Sequence, residues 1–204
     1  MMIHLALSDL PDWKAAGARE FNYVHIAPYV DEMAMTYAVA AAGKLPTTPA
    51  LVIGQPTVSD PSRAPAGKHI LWIQVRVLPL EITGDAAGRI TGNTWDQIGE
   101  EYADRIIENI ESYAPGLKSK ILSRKVLTPT DLERYNANLI KGDSLGGSHH
   151  PAQFFFLRPL PGWTGHRAPI ENLYICGDHL MNGSINAAMK SGRLVAALID
   201  EKKK

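Results

Sequence analysis

The sequence predicts an α+β region with a mixed or antiparallel sheet over residues 1–165, followed by an α/β strand–helix segment over 166–204. Three observations carry that expectation. Strand-like and helix-like stretches follow one another without a regular βαβ rhythm. Residues 70–78 alternate apolar and polar side chains at period 2. The stretch from Glu171 to Ile199 reads as a buried strand, a Gly-Asp turn, a glycine-containing loop and a helix.

Taken in order, Ile3-His4-Leu5-Ala6-Leu7 opens the chain as a strand, and the centre of Gly17 to Pro28 is a second short strand ended by the proline. A helix follows, with Asp31 as N-cap, Met33, Tyr37 and Ala41 repeating at i, i+4 and i+8, and Gly43 at the left-handed C-cap. Its apolar face is expected in the core. Pro46, Pro49, Pro56, Pro61 and Pro65 remove backbone donors from the next stretch, so only Ala50 to Gly54 reads as strand there. In the strand from Ile70 to Leu78, Leu71, Ile73, Val75 and Val77 point one way and Trp72, Gln74 and Arg76 the other. That mixed second face suits either a substrate wall or a solvent-facing surface.

Thr94-Trp95-Asp96-Gln97 forms a capping-box pattern before a helix whose Ile98, Tyr102, Ile106, Ile110 and Tyr113 share one stripe, stopped by Pro115 and Gly116. Thr130-Asp131-Leu132-Glu133 predicts a second capping box and a short helix before the glycine-rich loop 142–147. In the last segment Leu173-Tyr174-Ile175-Cys176 suits a strand and Gly177 permits a tight exit. Asp178 offers a carboxylate to a hydroxyl, and Ser184 can cap a helix whose first free N–H groups would face an anion.

Composition narrows the class. The chain is 45% hydrophobic over 204 residues, enough for a real core. With 21 basic and 21 acidic side chains the net charge is zero, which gives no broad pull toward nucleic acid or an anionic membrane. Lys202-Lys203-Lys204 reads as a solvated tail. A single cysteine excludes an intramolecular disulfide and a multi-cysteine metal site, and Cys176 within its apolar strand is expected to be a small buried hydrophobe. No apolar run reaches the roughly 18 residues of a membrane span, and no basic-then-apolar leader opens the sequence, so a cytoplasmic protein is expected. Adjacent His149 and His150 would face opposite sides of a strand and show no third ligand spacing, so no metal is assigned.

A set of landmarks runs along most of the chain. They are Ser59-Asp60-Pro61-Ser62-Arg63 through His69, Ala103-Asp104-Arg105-Ile106-Ile107, and Tyr113-Ala114-Pro115-Gly116. Leu127-Thr128-Pro129-Thr130-Asp131-Leu132-Glu133-Arg134 and Phe154-Phe155-Phe156-Leu157-Arg158-Pro159-Leu160-Pro161-Gly162-Trp163 continue the series. In this order, and followed by the Gly177-Asp178 segment, they resemble the phytoene-desaturase-like FAD-dependent oxidoreductases of the flavin amine oxidase superfamily. The branch in question is that of the pyridine nucleotide-disulphide oxidoreductase domain-containing proteins.

The resemblance implies that residues 1–165 are a substrate-domain portion and 166–204 the C-terminal segment of a Rossmann-like FAD-binding domain. It implies FAD as cofactor, met by Gly177, Asp178, Gly183, Ser184, Ile185 and Asn186. His179 and Arg158 would lie toward a small or polyene substrate, with a functionless loop histidine and a structural ion pair as the respective alternatives. No residue is assigned as catalytic, since hydride transfer to a flavin needs no acidic or basic side chain when the C–H bond lies over the ring. The G-x-G-x-x-G loop that would complete such a site is absent from the sequence, so the chain reads as the C-terminal part of a flavoenzyme. A complementary FAD-binding chain or a homo-oligomer would then be the partner. The alternative is a cofactor-free binding or oligomeric scaffold derived from such an enzyme. Where many members of the branch have a Thr-His-Pro-Gly-Gly-Gly type loop, this chain has Gly177-Asp178-His179-Leu180-Met181-Asn182-Gly183-Ser184, which leaves the substrate class open.

Overall fold

A computed structural model describes residues 1–79, 81–143, 150–153, 157–158, 160–163, 165–177 and 185–202, with the side chains of 185–187 and 202 outside the description. The chain divides into two compact units, Met1–Asn136 and Ala137–Lys204.

The first unit is built on a five-stranded antiparallel sheet. Its strands are β1 (Met2–Leu7), β2 (Tyr23–Ile26), β4 (Leu51–Gly54), β5 (His69–Val75) and β7 (Ile121–Leu127), in the order β2-β4-β5-β1-β7. A separate parallel pair joins β3 (Lys44–Leu45) to β6 (Gly84–Asp85). The helices of this unit are α1 (Val30–Ala41), α2 (Trp95–Tyr113), α3 (Leu117–Lys120) and α4 (Pro129–Tyr135). β1 sits between β5 and β7, and its alternation puts Ile3, Leu5 and Leu7 on one face, all essentially inaccessible to water. Leu71, Ile73 and Val75 of β5 join them, and Ile98, Tyr102, Ile106 and Ile110 of α2 complete one continuous apolar core. Each such side chain contributes about 1.5–3 kcal/mol on leaving water.

The period-2 and period-3.6 patterns therefore bury the side chains expected of them, with corrections at the edges. β5 ends at Val75, because Val77 takes φ 62°, a left-handed conformation that a β-branched residue adopts only under strain. Tyr113, expected on the buried stripe of α2, is 47% exposed. Thr94 is the N-cap of α2, but its side chain makes no capping bond, and Gln97 Oε1 accepts instead from Asn93 N at 3.4 Å. The second capping box lies two residues earlier than its sequence pattern: Thr128 Oγ1 accepts from Asp131 N at 3.1 Å, and Asp131 accepts from Thr128 N at 3.0 Å. Pro129 at the first helical position fixes that register, since a helix start has no use for its missing N–H.

The largest correction concerns α1. It is capped at Tyr29 rather than Asp31, with the Glu32 carboxylate accepting from Tyr29 N. Its apolar residues do not enter the core: Val30, Met35 and Tyr37 are largely exposed, and Thr36 is the buried residue of the helix. The apolar side of the sheet is already filled by α2, so no apolar sheet face is left for the α1 stripe.

A buried charge pair links helix and ribbon. Arg105 on α2 forms a bidentate pair with Asp85 on β6, both bonds at 2.6 Å, with side-chain exposures of 5% and 1%. The Asp85 carboxylate also accepts from the N–H groups of Ala87, Arg89 and Ile90, while Tyr102 Oη and Arg105 both donate to the Pro46 carbonyl. Burial alone would raise the Asp85 carboxyl, but the Arg105 guanidinium and these three N–H groups outweigh it and hold it well below the usual carboxylate range. The Arg105 guanidinium lies 5.3 Å from the centre of the Tyr102 ring, whose hydroxyl is pushed upward by burial. Arg105 Nε and Trp95 Nε1 are buried without a partner among the described residues.

Two outcomes are expected in urea unfolding of the purified chain. Arg105→Met leaves the Asp85 charge buried and unpaired, and should cost about 3–5 kcal/mol. Because the folded Asp85 carboxyl is depressed, the pair's contribution is complete above the unfolded carboxylate value of about 3.9 and is lost as pH falls through the folded value. The wild type should therefore resist acid further than Arg105→Met, and coincident acid transitions would refute the assignment. Gly54→Ala should cost about 1–3 kcal/mol, since a Cβ there would sit 2.1 Å from Cε2 of Trp72. A change near zero would show that the indole does not lie on Gly54.

Candidate functional site

Two regions hold the features singled out in the sequence, one in each unit. In the first unit it is the sheet face opposite α2. Tyr23, Gly54, Trp72, His4 and Lys125 are register partners across all five strands, and His25, Val52, Gln74, Met2 and Leu127 form the next row. Glycine at position 54 is what lets the Trp72 indole lie across β4, where Tyr23 meets it edge-on at 5.5 Å between ring centres. The Arg76 guanidinium donates to Gln74 Oε1 at 3.0 and 3.1 Å, which holds that carboxamide. The face thus combines two aromatic rings in edge-on contact and aliphatic side chains with two imidazoles, a carboxamide and an ammonium group. A separate shallow cavity of about 580 Å³ at the end of α1 is lined by Tyr37, Ala40, Gly43, Val77, Pro79 and Glu81 among others.

In the second unit the approach to the Gly-Asp turn is a narrow antiparallel pairing. Arg167 and Tyr174 form a bridge, Ile175 N donates to the His166 carbonyl at 2.8 Å, and Ala168 N donates to the Leu173 carbonyl at 3.0 Å. Asn172 turns the chain at φ 62°, a conformation asparagine tolerates. Gly177 then adopts φ 112°, accessible only to glycine at low cost, and a Cβ there would meet no heavy atom of the described residues within 4 Å. Its N–H donates to Ser191 Oγ at 3.1 Å, and the same oxygen lies 3.4 Å from His166 Nδ1, which is itself 3.1 Å from the Ile175 carbonyl. Ser191 belongs to α5 (Ile185–Lys202) and is inaccessible to water, as is nearly all of Val195 one turn later.

Of the sequence-derived site residues, Gly177 is placed as a positive-φ turn anchored to α5. Ile185 and Asn186 form the first turn of that helix. Asp178, His179, Gly183 and Ser184 lie outside the described residues, as does His149. Arg158 is buried, with Nε donating to the Gln153 carbonyl at 2.8 Å. His150 is exposed, and its Nδ1 accepts from Ala152 N at 3.2 Å. Among the described residues no group of three His, Cys, Asp or Glu side chains converges on a metal position. None of the helices in them is long and apolar enough to cross a membrane.

Cys176 and its strand require correction. Residues 173–176 make a single bridge rather than a buried strand, Leu173 is 45% exposed, and the Cys176 thiol is exposed. An apolar run of four is too short to say whether a sheet receives it. Ser191 and His166 went unread, because no spacing rule links a serine inside a helix to an amide 14 residues earlier.

With these features in place, sequence comparison supplies the class: the chain is a homologue of the phytoene-desaturase-like oxidoreductases. Among its relatives is pyridine nucleotide-disulfide oxidoreductase domain-containing protein 2 of Rattus norvegicus. It is 36% identical over 163 residues, which cover 78% of this chain and 26% of the relative. The phytoene desaturase (lycopene-forming) of Pseudescherichia vulneris is 28% identical over 159 residues, 74% of this chain and 28% of the relative. The phytoene dehydrogenase of Streptomyces griseus is 31% identical over 96 residues, 47% of this chain and 18% of the relative. The chain thus spans about a quarter of the length of the first two of these relatives. No family model matches it.

The exposed thiol generates a direct expectation. Native protein should release one equivalent of chromophore from Ellman's reagent, matching the single cysteine, at a rate close to that of the urea-unfolded chain. A thiol that reacts only in urea would restore the buried-strand reading.

Proposed function

We propose that this chain provides the substrate-facing region and the flavin-facing C-terminal segment of an FAD-dependent oxidoreductase of the dehydrogenase or desaturase type, acting on a small or polyene substrate. The observation that carries the reading is the Gly177 turn. A left-handed glycine with no described side chain crowding it, tied to the helix that begins at Ile185, is what a backbone needs in order to come close to a bulky anionic cofactor. Homology to desaturases and an oxidoreductase-domain protein over about three quarters of the chain supports it.

In this reading Gly177, Ile185 and Asn186 hold the cofactor together with Asp178, Gly183 and Ser184. The first turn of α5 turns its free N–H groups and partial positive charge toward the cofactor's electron-rich edge, an interaction of about 0.3–1 kcal/mol at an exposed helix end and more when buried. Bound FAD would supply the hydride acceptor. The open sheet face would orient an extended apolar substrate along Trp72, Tyr23, Val52 and Met2, and His4, His25, Gln74 and Lys125 would receive a polar end. His179 and Arg158 remain the proposed substrate contacts beyond the sheet. Residues 166–204 would then be the closing turn and helix of a dinucleotide-binding domain, and the partner a chain carrying the G-x-G-x-x-G loop.

The visible absorbance of the purified chain tests this: alone, with FAD, and with FAD plus a dinucleotide-binding domain taken from a homologue. Flavin bands that survive gel filtration only in the three-component mixture are expected. Bands with the chain and FAD alone would show that it needs no second half, and no bands in any mixture would overturn the flavoenzyme reading in favour of a cofactor-free scaffold.

A further inference from the structure

We propose that Ser191 and His166 are positioning residues that clamp the Gly177 turn to α5, an inference that rests on the cofactor reading above for its purpose but not for its geometry. His166 Nδ1 lies 3.1 Å from the Ile175 carbonyl, which can only accept, so Nδ1 carries a hydrogen. Ser191 Oγ, 3.4 Å from the same nitrogen, shares that hydrogen as an acceptor while also accepting the Gly177 N–H at 3.1 Å. One buried oxygen therefore collects two donors, the ring of His166 and the amide of Gly177. Ser191 is inaccessible to water, so no solvent molecule replaces the hydroxyl when it is removed, and the Gly177 N–H is left without a partner.

The consequence for function is geometric. Ser191 sits six residues into a helix that starts at Ile185, about 9 Å along its axis. The clamp ties the turn that precedes residues 178–184 to the helix that follows them, so both ends of that segment are held by a contact that lies outside it. Cofactor contacts on either side of the segment, Gly177 on one and the first turn of α5 on the other, are then kept in register before any ligand arrives. Preorganisation of this kind lowers the ordering cost of binding.

Asparagine places an N–H near the Nδ1 position, and glutamine does not.

The test is amide hydrogen exchange of Gly177 in the full chain without ligand, read by NMR, with Val195 on the same helix as internal reference. Exchange in the wild type should be slower than the free-peptide rate. Ser191→Ala should speed Gly177 about three- to tenfold while Val195 is unchanged. His166→Asn should behave as wild type, whereas His166→Gln should resemble Ser191→Ala. Free-peptide exchange at Gly177 in the wild type, no response to Ser191→Ala, or equal loosening of Val195 would each overturn the proposal. In the three-component mixture, Ser191→Ala should lower FAD retention severalfold. A wild type that retains no FAD yet shows the expected exchange pattern would sink the cofactor reading and leave the clamp supported.

Discussion

The first unit depends on one desolvated pair of charges. Arg105 and Asp85 are both out of water, and neither could be buried without the other, since an uncompensated buried charge costs several kcal/mol. Their partners extend the constraint. Asp85 belongs to the ribbon formed with β3, and the three backbone N–H groups on its carboxylate wrap the following turn around it. Tyr102 and Arg105 both reach the carbonyl of Pro46, just after β3. α2 is therefore pinned to the ribbon at a fixed position, and with it the stripe of Ile98, Tyr102, Ile106 and Ile110 that covers the apolar face of the sheet. Filling that face leaves the opposite one for Trp72, Tyr23 and His4, and leaves no apolar sheet face for the α1 stripe.

What the sequence made legible follows from the reach of its patterns. Alternation in Ile3 to Leu7 and Ile70 to Val75, and the three-to-four spacing of Ile98 to Ile110, report which side of an element is dry, and those side chains are buried. They do not report what lies opposite. Met33, Tyr37 and Ala41 have helical spacing, but whether a surface meets them is decided by α2, sixty residues on. Local signals were also misread where two competed. Thr130 and Glu133 matched a capping box, yet Pro129 pulled the helix start forward to Thr128 and Asp131. The Asp85–Arg105 pair joins residues 20 apart in sequence and the Ser191–Gly177 bond residues 14 apart. No periodicity spans such gaps.

The candidate site divides in the same way. The Gly177 turn and the helix beginning at Ile185 were visible as a glycine at a strand exit and a run of helix-forming residues, and Gly177 does take a conformation that demands glycine. The serine and histidine that hold the turn were not visible, because each is unremarkable in its own segment. The sheet face was foreseen as mixed, and its composition required the strand register: only pairing His4 with Trp72, and Trp72 with Gly54, brings the imidazole, the indole and the glycine into one row.

In the proposed site the Gly177 turn and the first turn of α5 meet the cofactor. The measurement that tests it most directly is a chemical-shift map of the isotope-labelled chain in the mixture with a dinucleotide-binding domain, before and after FAD is added. The account predicts FAD-dependent shifts concentrated at Gly177 and at Ile185 and Asn186, with the α2 core of the first unit unmoved. Shifts that avoid those residues while flavin is retained would contradict it.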